Sequence, residues 1–116
     1  MTHDEYISYD GSGLAKLVRG KEVEPSDLLD LALERVSVLN CEVNAVVRLM
    51  EEDARAAAQN YKADGVFSGV PFLAKDLGSH FAGHPTSAGS RLTKDIFAER
   101  DTELVRRLRA TGVSIF

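Results

Sequence analysis

One lysine in this chain stands where its type and setting suit chemistry. Lys75 lies in the stretch Gly69 to Arg91, GVPFLAKDLGSHFAGHPTSAGSR, at the end of the short apolar run Val70, Phe72, Leu73 and Ala74. After it comes a loop rich in glycine and small hydroxyl residues: Gly78, Gly83, Thr86, Ser87, Gly89 and Ser90. Such a composition suits backbone that turns sharply or approaches a ligand closely. A lysine desolvated at the end of a buried strand favours its neutral amine, and a neutral amine accepts protons. A lysine at a strand end facing such a loop is a candidate active-site group. Lys16, Lys21, Lys62 and Lys94 have no apolar run before them and read as surface charges.

The remaining candidates are weaker. Gly78 and Gly83 have the gap of a phosphate-binding P-loop, but His84 and Pro85 occupy the positions that need Lys and Ser or Thr. His80 and His84 have the spacing of two metal ligands on one helical face. Gly83 and Pro85 oppose a helix there, and no third ligand is near, so no metal is expected. Cys41 is the single cysteine, which excludes an internal disulfide; it is expected to be a small buried thiol near a helix end, with no base beside it. Thr86, Ser87 and Ser90 are expected to satisfy loop backbone. Asp76 alternates with Lys75 along extended backbone, so it should face the other way and accept structural hydrogen bonds.

Holding Lys75 requires a strand before it, and Val70 to Ala74 fits one that Pro71 opens. Upstream, Ser12 should cap a helix through Leu14, Ala15, Leu17 and Val18, with Gly20 ending it in a left-handed turn. Pro25 should open a second helix, with Asp27 in its first turn and Leu28, Leu29, Ala32, Val36 and Leu39 at helical period as far as about Asn40. Ala45 to Val47 suits a short extended piece, and a third helix should run from about Glu51 to Lys62 and stop by Gly65. Downstream, Asp101 should cap a fourth helix bearing Leu104, Val105 and Leu108, with Arg106, Arg107 and Arg109 in its later turns and Gly112 as its stop. Val113 to Phe116 then reads as a second strand. Strand, loop, helix and strand make a crossover unit of the kind that builds parallel sheets.

The chain has 116 residues, 44% of them hydrophobic, and a net charge of -4, the composition of a soluble globular protein. Acidic and basic residues are interspersed, so no basic patch is available for nucleic acid or anionic lipid. No apolar window approaches the roughly 20 residues that cross a bilayer, and the start MTHDEYISYD lacks the parts of a signal peptide. A cytoplasmic location is expected, with neither nucleic acid nor membrane as partner.

Three stretches in register resemble the amidase signature family: GVPFLAKD at Gly69 to Asp76, GHPTSAGS at Gly83 to Ser90, and DTELVRRLRATGV at Asp101 to Val113. The resemblance implies an α/β fold, in which N-terminal helices precede the first strands of a mixed central sheet of the family's α/β/α architecture. The 116 residues would be the N-terminal portion of one such domain and an incomplete one, with a helical region at 1–64 and the first strand, lysine loop, helix and second strand at 65–116. It also implies a catalytic triad of a serine, a second serine flanked by a cis peptide, and a lysine. Lys75 is the matched lysine. Both family serines belong to a later glycine- and serine-rich segment, and Ser87, Ser90 and Ser114 do not match them.

The implied activity is hydrolysis of a small-molecule carboxamide without a cofactor, the lysine taking the nucleophile's proton through the bridging serine. A transamidase of the glutamyl-tRNA amidotransferase type, which forms glutaminyl-tRNA, is the alternative within the family. A non-catalytic interaction module is the alternative outside it. An apolar strand as the last element reads as truncation, so these 116 residues alone are expected to be inactive and to self-associate through unpaired strand edges and apolar faces.

Overall fold

The computed structural model describes residues 1–116. Its elements, in chain order, are α1 (His3–Ser8), α2 (Gly11–Arg19), α3 (Pro25–Val43), α4 (Glu51–Gln59), β1 (Pro71–Phe72), α5 (Glu103–Ala110) and β2 (Ser114–Ile115). They fall into two compact units, one of residues 1–73 with 111–116 and one of residues 74–110.

In the first unit, helix starts follow side-chain chemistry more closely than the sequence pattern suggests. The polar start of the chain forms α1, which no apolar period announces. Thr2 Oγ1 accepts the Glu5 N–H at 3.2 Å while the Glu5 carboxylate accepts the Thr2 N–H at 2.7 Å, a reciprocal cap. Asp10, rather than Ser12, caps α2: its Oδ1 accepts the Gly13 N–H at 2.7 Å, and Ser12 lies inside the helix. A carboxylate there also faces the positive end of the helix dipole. The left-handed residue beyond α2 is Lys21 (φ 57), not Gly20 (φ -74).

Helix α3 begins with Pro25 in its first turn, as expected, but runs to Val43, where Asn44 (φ 46) makes the left-handed exit. Asn40 explains why Ala45 to Val47 form no strand. Its Nδ2 donates to Val46 O and its Oδ1 accepts Val46 N–H, both at 2.8 Å, so the backbone groups a ladder would use are already taken. Helix α4 stops at Gln59, short of Lys62, with Asn60 Nδ2 donating back to Ala56 O at 2.8 Å. Cys41 is exposed, not buried: it follows the exposed Val38 and Leu39 on the last turns of α3 and donates its thiol hydrogen to Val38 O at 3.2 Å.

Consecutive leucines of α3 serve two cores. Leu28 packs with Leu14, Ala15, Val18 and Val70, and Leu29 with Ala32, Ala54, Ala58 and Phe116. Neighbouring positions on a helix point about 100° apart, so one helix can feed two clusters. Ala54 and Ala58, one turn apart on α4, present a small face that lets α4 close on α3. Outside that contact, Arg55 bonds Glu51 and Asp30, each at 2.8 Å. These ion pairs are partly solvated and add little.

β1 and β2 are parallel, with Pro71 opposite Ser114 and Phe72 opposite Ile115. Pairing extends upstream of the two strands, because Phe67 N–H bonds Thr111 O and Gly69 N–H bonds Gly112 O, both at 2.9 Å. Gly65 does not end α4. The Thr111 backbone occupies the space a side chain there would need, and Ser68 Oγ accepts the Gly65 N–H at 2.8 Å. Gly112 is doubly constrained by a φ of 83 and by Ser68, which a Cβ would strike. No helix is long and apolar enough to cross a membrane.

Two measurements check this packing. Gly112→Ala should destabilise the chain by several kcal/mol more than Gly78→Ala. Both replace a glycine at positive φ, at a cost of about 1–2 kcal/mol, but only Gly112 is also crowded. Equal unfolding midpoints in denaturant would show that the Ser68 contact does not hold the pairing. The Tyr6 phenol, half-buried and packed against both cores, is pushed above its ordinary 10.0 by burial, against a smaller opposing effect of Arg35. The unfolded chain therefore ionises Tyr6 first, and stability should fall as pH rises through 10 until the folded phenol ionises too. Tyr6→Phe should flatten that alkaline loss in thermal melts; an unchanged slope would assign the loss to other groups.

Candidate active site

The second unit carries the lysine and its loop. Strand β1 ends at Phe72, whose carbonyl accepts the Phe116 N–H at 3.1 Å, and Lys75 lies three residues further on. Lys75 is exposed, which corrects the expected burial at a strand end: the strand is two residues long, so its last residue is not the lysine's neighbour. Asp76, Leu77 and Gly78 then turn the chain, with Gly78 at φ 84 and Leu77 exposed.

Asp76 does face a separate set of partners. Its Oδ2 accepts the Ser87 hydroxyl at 2.7 Å and the Gly89 N–H at 3.3 Å. Ser87 is fixed in turn, since its carbonyl accepts both the Ser90 N–H and the Thr93 hydroxyl at 2.7 Å. Ser90 Oγ accepts the Leu92 N–H at 3.2 Å, and the Thr86 hydroxyl donates to Ile96 O at 3.3 Å. All three small hydroxyl residues thus satisfy the loop, as their composition suggested. Gly83 (φ 78) and Gly89 (φ 74) sit in left-handed backbone with open space where a Cβ would be. Conformation, not crowding by other atoms of the chain, is what calls for glycine at both.

The far side of the loop is tied to the segment before α5. Bridges join Ala82 to Ala98 and Pro85 to Phe97, and Thr102 N–H bonds His80 O at 3.1 Å. Asp101 does not cap α5. Its Oδ1 accepts the Ala82 N–H at 2.8 Å and its Oδ2 the Arg109 Nε–H at 2.9 Å, so its carboxylate faces the loop and the helix's last turn. Arg109 also lies over the buried Phe81 ring, 5.8 Å from its centroid. Arg106 and Arg107 reach back to Glu103 at 2.8 and 2.9 Å. His80 and His84 stand on irregular backbone, not on one helical face. Ser114 is fully buried in β2.

The first unit offers a different feature, an apolar groove of about 260 Å³ lined by Tyr6, Val36, Leu39, Val43, Leu73 and Phe116 among others. Arg35 and Asn40 are its main polar neighbours. The Tyr6 phenol also lies in its lining.

The Amidase family model matches residues 27–116. This chain belongs to the amidase family. That match takes in the whole of the Lys75 loop, and the helices with the two parallel strands are those of the amidase signature fold. Among relatives of this amidase chain, the 6-aminohexanoate-cyclic-dimer hydrolase of Pseudomonas sp. (strain NK87) is 34% identical over 105 residues, covering 89% of this chain and 21% of that enzyme. One component of the glutamyl-tRNA(Gln) amidotransferase of Salinispora tropica is 32% identical over 115 residues, covering 93% and 23%. A solved structure of 6-aminohexanoate cyclic dimer hydrolase complexed with substrate superposes at a TM-score of 0.85 with 32% identity, over 93% of this chain and 22% of that one. The chain therefore spans about a fifth of the length of the relatives it matches.

The Asp76 bonds make a local prediction. Asp76→Ala should speed exchange of the Gly89 amide hydrogen about tenfold or more, since a hydrogen bond to a charged acceptor contributes on the order of 1.5–3 kcal/mol. Ser87→Ala should do so less. Unchanged Gly89 protection in both variants would mean that the carboxylate does not hold the loop in solution.

Proposed function

We infer that the whole protein is an amide hydrolase in which Lys75 is the catalytic lysine of a serine, serine and lysine triad. The observation that carries this reading is the place of Lys75 in GVPFLAKD, inside the family-matched residues, at the edge of the GHPTSAGS loop. Both triad serines would come from a segment other than these residues, so the 116 residues alone should not turn over an amide.

Serine is too weak an acid to attack an amide unaided near neutral pH. In this reading the nucleophile's proton passes to the bridging serine as that serine's own proton passes to Lys75 Nζ. The nucleophile's oxygen then bonds the carbonyl carbon, and the C–N bond breaks as the proton returns to the departing amine. Water repeats the sequence to release the acid. Lys75 must be neutral for the first step, and desolvation supplies that condition. Exposed as it is here, Lys75 would need cover from the assembled site before it could act.

A small linear or cyclic amide is the proposed substrate, on the strength of the relative that hydrolyses a cyclic dimer of 6-aminohexanoate. A transamidase of the glutamyl-tRNA amidotransferase type, which forms glutaminyl-tRNA, is the second reading, favoured by the amidotransferase match across 93% of the chain. No cofactor and no direct nucleic-acid or membrane contact by these residues enters either proposal, and a cytoplasmic site of action goes with both.

Lys75→Ala in the whole protein should lower kcat/KM on 6-aminohexanoate cyclic dimer by more than ~10⁴-fold while leaving the thermal midpoint nearly unchanged, because the proton route and not the fold is removed. Lys75→Arg should fail as well, since a guanidinium stays protonated. A folded Lys75→Ala protein with ordinary turnover would remove Lys75 from the mechanism. Glutamine-dependent amidation of glutamyl-tRNA without hydrolysis of the cyclic dimer would favour the second reading.

A further inference from the structure

We propose that Asp76 is a positioning residue for Lys75, an inference that rests on the reading of Lys75 as proton acceptor. Asp76 follows the lysine directly, and its half-buried carboxylate gathers the Ser87 hydroxyl and the Gly89 N–H on one oxygen, at 2.7 and 3.3 Å. The donors lie 11 and 13 residues away in sequence, so this is tertiary structure and not a local turn. Consecutive left-handed residues, Ala88 (φ 47) and Gly89 (φ 74), bend the loop so that the Gly89 N–H turns toward the oxygen that holds Ser87. The Ser87 carbonyl is itself held by the Ser90 N–H and the Thr93 hydroxyl. The backbone that carries Lys75 is thus pinned one residue downstream to a loop that is braced on its own.

Two consequences follow for the reaction. A fixed residue 76 sets the direction in which the Lys75 side chain leaves the backbone, and displacement of a reacting group by about 1 Å can cost about 10²-fold in rate. The same bonds also occupy the carboxylate nearest to Lys75 in sequence. Left free, it could swing to the amine and hold it in the charged form that accepts no proton. Asparagine at this position can still accept both hydrogen bonds through its amide oxygen, whereas alanine cannot.

Steady-state kinetics on the whole protein with 6-aminohexanoate cyclic dimer test the assignment. Asp76→Ala should lower kcat about 10²-fold with KM within about twofold and with a native-like thermal midpoint, and Asp76→Asn should recover most of the loss. Ser87→Ala should give a smaller loss in kcat, and the Asp76→Ala/Ser87→Ala double variant should be no slower than Asp76→Ala alone, because one interaction is being removed twice. Unaltered kcat in Asp76→Ala would overturn the proposal, as would an Asp76→Asn variant as slow as Asp76→Ala, which would give the charge itself the role. Lys75→Ala in the same assay separates the two claims. Turnover retained there sinks the reading of Lys75 and this proposal together, whereas loss there with normal Asp76→Ala sinks the proposal alone.

Discussion

Parallel pairing of residues 67–72 with residues 111–116 is the constraint on which the rest depends. Beside the ladder of β1 and β2 themselves, backbone hydrogen bonds join Phe67 N–H to Thr111 O, Gly69 N–H to Gly112 O, Ser114 N–H to Val70 O and Phe116 N–H to Phe72 O. The unit of residues 74–110 lies between the paired segments in sequence, so bringing them together closes a loop of that size. Closing a flexible loop this long costs roughly 3 kcal/mol or more, and backbone hydrogen bonds return about 1 kcal/mol each. Hydrogen bonding alone therefore barely offsets closure. Burial of Val70, Val113, Ile115 and Phe116 must supply the surplus, at about 1.5–3 kcal/mol for each large apolar side chain taken from water.

That surplus is available because α3 offers two faces. Phe116 enters the cluster of Leu29, Ala32, Ala54 and Ala58, and Val70 enters the cluster of Leu28, Leu14, Ala15 and Val18, so each paired segment is anchored to a different side of one helix. Shortening a side chain in either cluster therefore weakens a segment and not only a helix. Gly112 shows how close the approach is. Its left-handed φ brings the Thr111 and Gly112 carbonyls to the Phe67 and Gly69 amides, and Ser68 fills the space where any Cβ would go.

Much of this was legible in the sequence, and the rest fails for identifiable reasons. Pro25, the period of Leu28 to Leu39, Pro71 at the strand start and Gly112 before the second strand each carry a local signal strong enough to survive in the fold. Helix α1 was hidden because its signature, Thr2 with Glu5 three residues later, has no apolar period behind it. Helix ends slipped wherever a side chain competed for backbone, as Asn40 does with Val46 and Asp10 does with Gly13. Asp101 looked like a cap because an acidic residue before a helix usually is one, but the Ala82 amide and Arg109 compete for the same carboxylate and both are distant in sequence. That Asp76 accepts structural hydrogen bonds was legible. Its partners, 11 and 13 residues on, were not.

Exposure of Lys75 is the point at which sequence and structure have most to say to each other. Phe72, Leu73 and Leu77, the large apolar residues nearest Lys75 in sequence, are exposed as the lysine itself is. Apolar residues stand on both sides of Lys75 in the sequence, and exposed apolar side chains gain from being covered. Asp76, the carboxylate next in sequence to Lys75, is meanwhile committed to the Ser87 hydroxyl and the Gly89 N–H.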